Sequence, residues 1–330
     1  MSLWSAVVTS GEMCSRPPTR WEEQCHYGLA ADQVLQATVV TTDGRVLVAN
    51  AAQNQDLLWA IRGGGPGLYG AIVKYVLRTH PYPKNVVWPS ISMDLAENTT
   101  VEAATASWKP MAVLVRNISG LIGLGITGNG FATTSTISIS SNQSSVQKGV
   151  GLTITLYGYN TTTSTLKSLV EPTRHRMMAY ASVKGVKIEM AELNIAADYL
   201  SFFDVLNPNP SAYSDISLVS SHLLGHSQLT HLSLEDVQGH LYTIMNSQVE
   251  GEPSNIIIGL QGGPGPRDVS QDMRGGLNPA WRGDRPTSLH VLSTGAKLNE
   301  ANPNSLYVLL GVGSDKLQYD LNSGMLCVEN

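Results

Sequence analysis

Apolar positions first settle into a pattern at Val34. VLQATVVT reads as a buried strand, Asp43-Gly44 as a turn signal and RVLVAN as the return strand, which predicts a β-hairpin. Asp56 stands where it would cap a short apolar helix, DLLWAI, that stops at a run of glycines. Apolar and polar residues then alternate over 72–80, the spacing of a strand. Beyond Val86 the pattern changes. Residues 101–114 have the periodicity of an amphipathic helix, and Leu152, Ile154 and Leu156 alternate with Thr153 and Thr155 as in a half-buried strand. Ser233 and Asp236 form a capping box ahead of Leu234, Val237, Leu241 and Ile244, which predicts a helix. Asn255–Leu260 and residues 288–292 read as apolar strands, whereas residues 1–27 show no periodicity. There is no internal repeat. Strands and long helices in this order predict an α+β fold, with an antiparallel sheet covered by helices on one face.

Composition narrows the partners. The chain has 330 residues, 42% hydrophobic and 14% charged, enough for one large domain or two smaller ones. A net charge of -5 argues against nucleic acid, and no apolar run is long enough to span a membrane. Three cysteines, Cys14, Cys25 and Cys327, are too few for a disulfide scaffold; a Cys14–Cys25 bridge and free thiols both remain open. No C-x-x-C or H-E-x-x-H spacing supports a metal. Four N-x-[ST] sequons, at Asn98, Asn117, Asn142 and Asn160, point to the secretory pathway, although residues 1–13 make a poor signal peptide.

The most informative stretch is DLLWAIRGGGPGLYGAIVKYVLRTHPYP. Gly63, Gly64, Gly65 and Gly67 lack a Cβ, so the backbone there can turn left-handed and approach a ligand closely. Residues 65–70 satisfy G-x-G-x-x-G. A dinucleotide site of the Rossmann type, however, needs a strand before the loop and a helix opening within it. Here a helix precedes and a strand follows, so that reading is set aside. No Gly-Lys-[Ser/Thr] follows either, which excludes a Walker loop. On spacing alone a tight turn without ligand is the better account of the glycines.

Taken together, YGLAADQVL from Tyr27, DLLWAIRGGGPGLYGAIV with its RTHP ending, LNPAWR at 277–282 and GAKLNEA at 295–301 resemble the berberine-bridge-like branch of the vanillyl-alcohol-oxidase superfamily. These are FAD-linked oxidoreductases with a PCMH-type flavin domain. The flavour is that of fungal members resembling isoamyl-alcohol oxidases, and the likeness runs from about Tyr27 to Pro303. It implies the C-terminal part of a PCMH-type FAD-binding domain at 27–86, a substrate domain at 87–295 and a C-terminal segment, 296–330, returning to the flavin domain, after an atypical stretch at 1–26.

The resemblance also implies roles. The glycine loop and the strand after it would pass close to FAD, at Gly64, Gly65, Gly70, Ile72 and Val73, with Val34 also against the cofactor. Asn299 would hydrogen-bond the flavin or ribityl region. Glu300 would be the base, accepting the substrate proton as hydride moves to the flavin, with O2 as the final acceptor. The substrate would be a small alcohol, amine or secondary metabolite. Lys297 replaces an aromatic residue usual in relatives. The large N-terminal half of the flavin domain, with the residues that bond FAD covalently, has no counterpart here, and Cys25 and His26 do not match those places. The expectation is therefore a truncated flavoenzyme or, alternatively, a non-catalytic remnant that binds no flavin. A secreted adhesion module is a further alternative resting on the sequons alone.

Overall fold

A computed structural model of the chain describes residues 24–95, 100–138, 146–181, 185–199, 201–202, 217–246, 254–260, 262–283, 287–294, 317–320 and 325–328. Strands β1 (Val34–Val40), β2 (Val46–Asn50) and β3 (Ala71–Leu77) form an antiparallel sheet in the order β2-β1-β3. The hairpin predicted around Asp43-Gly44 is present, with Gln36 paired to Asn50 and Val40 to Val46. Helix α1 (Gln55–Ile61) covers one face of this sheet. Its Leu58 and Ile61 join Val34, Ala37, Val39 and Ala49 in a small core.

Asp56 does not cap α1. The capping position is Asn54, which has a left-handed backbone (φ 48) and makes no capping bond. Its side-chain amide donates instead to the Val48 carbonyl at 2.8 Å, tying the helix start to β2. Asp56 lies in the first turn, where a negative charge favours the helix dipole without capping it. Strand β3 is also shorter than the alternation over 72–80 predicts. It ends at Leu77, because the Arg78 N–H leaves the ladder for the Gln33 carbonyl and Pro81 and Pro83 lack donors.

The second sheet holds nine strands, all neighbours antiparallel. They are β4 (Val86–Trp88), β5 (Ser90–Leu95), β6 (Thr127–Ser138), β7 (Val146–Tyr159), β8 (Val186–Met190), β9 (Asn194–Ala196), β10 (Ser217–Leu224), β11 (Asn255–Leu260) and β12 (Thr287–Thr294). The main path runs β10-β12-β11-β6-β7-β4-β9, with β5 joining β7 to β8. Helix α2 (Val101–Gly123) packs on β7, flanked by α3 (Thr163–Ala179) and α4 (Leu234–Asn246). Ile91, Met93, Trp108, Met111, Leu114, Ile154, Leu156 and Leu241 are the centre of the resulting core. This is the α+β arrangement the alternation implied. The Ser233/Asp236 box is formed: each residue's backbone N–H bonds the other's side chain, at 3.0 and 3.3 Å.

Helix α2 runs nine residues past the expected end at 114 and passes through the buried Pro110. Val115, Ile118, Leu121 and Ile122 continue the buried stripe, so packing sustains the helix where its composition alone does not. Of the two sequons in the described residues, Asn160 sits in an exposed turn after β7 with φ 50. Asn117 lies within α2, its amide donating to the Val113 carbonyl at 2.6 Å, and is poorly presented for modification. Asn98, Asn142, Cys14 and the Cys25 and Cys327 side chains lie outside the described residues. Among the described residues no helix is long and apolar enough to cross a membrane.

Candidate functional site

The glycine loop is half filled by protein and half open. A Cβ at Gly63 would meet the Leu277 side chain at 2.7 Å, and one at Gly64 would meet the Ala60 carbonyl at 2.6 Å. Opposite them runs the segment 275–277, where the Gly276 N–H donates to the Trp59 carbonyl at 2.8 Å. Those two glycines therefore serve close contact between parts of the chain itself. The other side differs. Gly67 has open space where a Cβ would be, and Gly65, with φ +79, has only the Leu68 side chain beside it. Gly70 is tightest: its φ is +139 and a Cβ would lie 2.4 Å from the Val40 carbonyl, so glycine is required for β3 to enter the sheet.

The motifs carried by the sequence resemblance meet in space. Asp32, from YGLAADQVL, is 3% exposed and receives both terminal nitrogens of Arg282, from LNPAWR, one of them at 2.7 Å. The same carboxylate accepts the Leu29 N–H at 2.9 Å, so its lone pairs are well used. Arg62, at the end of α1, donates to the carbonyls of Val34 at 2.9 Å and Asp272 at 3.0 Å. Burial pulls the Arg62 guanidinium below its ordinary value, and Asp32 and then Asp272 oppose that shift. Residues 262–283, within the stretch expected to form the substrate domain, are thus fastened to the glycine-loop unit by the buried Arg62 and by Arg282, whose side chain is 10% exposed.

A cleft of about 390 Å³ opens beside this knot, lined among others by His26, Tyr27, Gln33, Arg78, Ser270 and Met273. Gln33 organises it: its Nε2 donates to the Tyr27 carbonyl at 2.7 Å while its Oε1 faces His80 Nε2 at 2.7 Å. Tyr27 stacks on His80 with ring centroids 4.3 Å apart. Burial lowers the affinity of His26 for its proton, and burial followed by Arg78 does the same to His80.

None of the residues expected at the cofactor lines this cleft. Gly64, Gly65, Gly70, Ile72 and Val73 cluster instead at the other end of β3. Val34 is fully buried in the small core with its carbonyl held by Arg62, and Ile72 packs against that core. Val73 is 63% exposed. Asn299 and Glu300 lie outside the described residues. Asp32, Arg62, Arg78 and Arg282 carry no mark in the sequence that singles them out. Asp32 and Arg282 stood inside the quoted motifs, yet a pair 250 positions apart leaves no local signal.

A flavin with its adenine tail needs an apolar wall and backbone it can approach. The face of the three-stranded sheet turned away from α1 is mixed: it carries Val46 at 64% and Val76 at 38% exposed beside the polar Gln36, Thr38, Lys74 and Asn50, with Val73 and the tip residues Leu68 and Tyr69 also exposed. Gly65 and Gly67 leave the loop accessible beside it. The residues present fit one flank of such a group. A cradle for its diphosphate is not found among the described residues.

The fold is that of the VAO-type flavoproteins. The structure of a VAO-type flavoprotein from Myceliophthora thermophila superposes with a TM-score of 0.73 at 22% identity, over 88% of this chain and 50% of that one. A berberine bridge enzyme variant described as a reticuline dehydrogenase matches with a TM-score of 0.57 at 17% identity, over 88% of this chain and 52% of that one. In sequence the chain is similar to an FAD-linked oxidoreductase of Gibberella fujikuroi, 26% identical over 262 residues, which cover 78% of this chain and 42% of the relative. No protein-family model matches the chain. The resemblance to the berberine-bridge-like and VAO-type superfamily therefore holds. The chain spans about half the length, or less, of the relatives it matches.

Proposed function

We propose that this chain contributes to an FAD-linked oxidoreductase that oxidises a small alcohol, amine or secondary metabolite. The observation that carries the reading is the glycine loop within a VAO-type fold, open at Gly65 and Gly67 beside a sheet face that exposes Val46 and Val76. Bound FAD would supply the hydride acceptor, with O2 as the terminal oxidant. The backbone at Gly65 would allow close approach, Gly64 and Gly70, whose Cβ positions are filled by the protein's own backbone, would set the path of the loop, Val73 would stand in the wall, and Ile72 and Val34 would support it from beneath. Asn299 would orient the cofactor by a hydrogen bond, and the Glu300 carboxylate would take the substrate proton. In this reading 27–86 belongs to the flavin unit, 87–295 is mainly the substrate unit, and 296–330 returns to the flavin. The contacts of 262–283 with α1 favour counting that stretch with the flavin unit.

Absorbance of the purified protein tests the reading directly. A flavin band is expected, and Gly65→Val is expected to lower the flavin-to-protein ratio at least about tenfold, because a β-branched residue resists a left-handed backbone. In the flavin-loaded protein, Glu300→Gln is expected to slow flavin reduction and leave flavin content unchanged. Protein that takes up no flavin would favour the alternative, a non-catalytic chain. An unaltered flavin ratio in the Gly65 variant would remove the loop from the site, and an unaltered reduction rate would remove Glu300. Passage through the secretory pathway belongs to the same reading and is supported by the exposed Asn160 turn. A secreted chain with no glycan mass at Asn160 would count against it.

A further inference from the structure

We propose that the cleft between Tyr27, Arg78 and Met273 is a binding site for a small aromatic carboxylate, separate from the proposed flavin wall. The first argument is charge. The chain as a whole carries a net charge of -5, yet five arginines and three aspartates gather around this cleft. Asp32 is matched by Arg282, and Asp268 by Arg267. The Ser270 hydroxyl first, then the Asp272 backbone N–H, and after them the Arg62 and Arg78 guanidiniums hold the Asp272 carboxyl below its usual range. Arg62 and Arg274 spend their donors on backbone carbonyls. Arg78 remains. It lines the cleft, is exposed, and among the described residues its guanidinium makes no hydrogen bond or ion pair. Its own N–H is fixed to the Gln33 carbonyl at 2.8 Å, so the root of the side chain is anchored at the rim. A guanidinium with its planar fork free suits a carboxylate, which it can bind through two parallel hydrogen bonds.

The second argument is shape. The Tyr27 ring cannot swing freely: it is stacked on His80 and its hydroxyl donates to the Pro81 carbonyl at 3.1 Å. Val269 and Met273 also line the cavity, and a thioether packs well against an aromatic ring. A volume of about 390 Å³ sits at the lower end of the range for small-molecule sites. The cleft therefore offers a fixed aromatic wall, an adaptable apolar wall and, among the described residues, a guanidinium fork without a partner. A flat ring bearing one carboxylate uses all three.

Calorimetric titration of the full chain with benzoate tests this. Saturable one-to-one binding is expected, with benzamide and inorganic phosphate each at least tenfold weaker. Arg78→Gln should weaken benzoate at least tenfold, and Arg78→Lys, which keeps the charge and loses the fork, should weaken it less. Excess FAD should leave benzoate affinity unchanged, so this site can stand or fall independently of the flavin reading. The inference is overturned if benzoate does not saturate, or if the glutamine variant binds it as wild type does. It is equally overturned if benzamide or phosphate matches benzoate, or if FAD displaces it.

Discussion

Asp32→Ala is expected to cost the fold about 3–5 kcal/mol, seen as a large fall in the midpoint of urea unfolding. Asp32 and the Arg282 side chain are 3% and 10% exposed, so deleting the carboxylate strands a guanidinium where water does not replace its partner. Arg282 would keep only the Pro266 carbonyl, at 3.1 Å. The Leu29 N–H would lose its acceptor as well. A second variant separates the pair from the general effect of a core truncation. Removing both charges, as Asp32→Ala with Arg282→Met, should recover part of the loss, because an apolar replacement no longer leaves a buried charge unpaired. If the single variant unfolds within about 1 kcal/mol of the wild type, the pair is not holding 262–283 to the turn at 30–33 before β1, since a loss that small is no more than an exposed ion pair gives.

This pair also shows where sequence reading succeeds and where it stops. The hairpin at 34–50, the capped helix at 234–246 and the apolar strand at 255–260 were legible because each is specified locally: alternation sets the pleat, a turn dipeptide sets the reversal, and a capping box sets the helix start. Asp56 is not the cap the sequence predicts, because Asx residues compete for the same role. Asn54 lies two positions earlier and is held by the Val48 carbonyl, a contact that periodicity does not encode. Helix α2 was cut short because its last turns hold Gly120 and Gly123 and are sustained by core contacts rather than by propensity. The glycines were correctly singled out, but their reasons divide. Gly63 and Gly64 are small so that 275–277 and α1 can approach, and only Gly65 and Gly67 face space that a ligand could share. A sequence marks all four alike.

The arginines beside the cleft illustrate the remaining limit. Arg62, Arg78 and Arg282 look equivalent along the chain, as exposed cations usually do. In the fold the buried Arg62 and the Arg282 side chain, 10% exposed, are structural donors, and the fork of the third has no hydrogen-bond or ion-pair partner among the described residues. The difference arises from where residues 262–283 return. Two consecutive glycines, Gly275 and Gly276, control that return.

Gly275→Ala is the sharper test of how the two sequence motifs fit together. A Cβ there would lie 2.2 Å from the Arg62 Cβ, 2.3 Å from the Arg62 carbonyl and 2.7 Å from the Trp59 carbonyl. Two of these atoms are backbone of α1 and its cap, and they cannot move without breaking the helix end that starts the glycine loop. Overpacking typically costs about 1–3 kcal/mol, and the upper end, about 3 kcal/mol, is expected where backbone rather than a flexible side chain must yield. The expected result is a lowered unfolding midpoint together with faster proteolysis within 262–283, because the Gly276 bond to the Trp59 carbonyl would be lost. Gly67→Ala is the matched control. Open space surrounds that position, so stability should change by less than about 0.5 kcal/mol. A Gly275 variant as stable as the Gly67 variant would mean that the glycine loop does not rest on 275–277, and the wall proposed for the flavin would then have no support behind it.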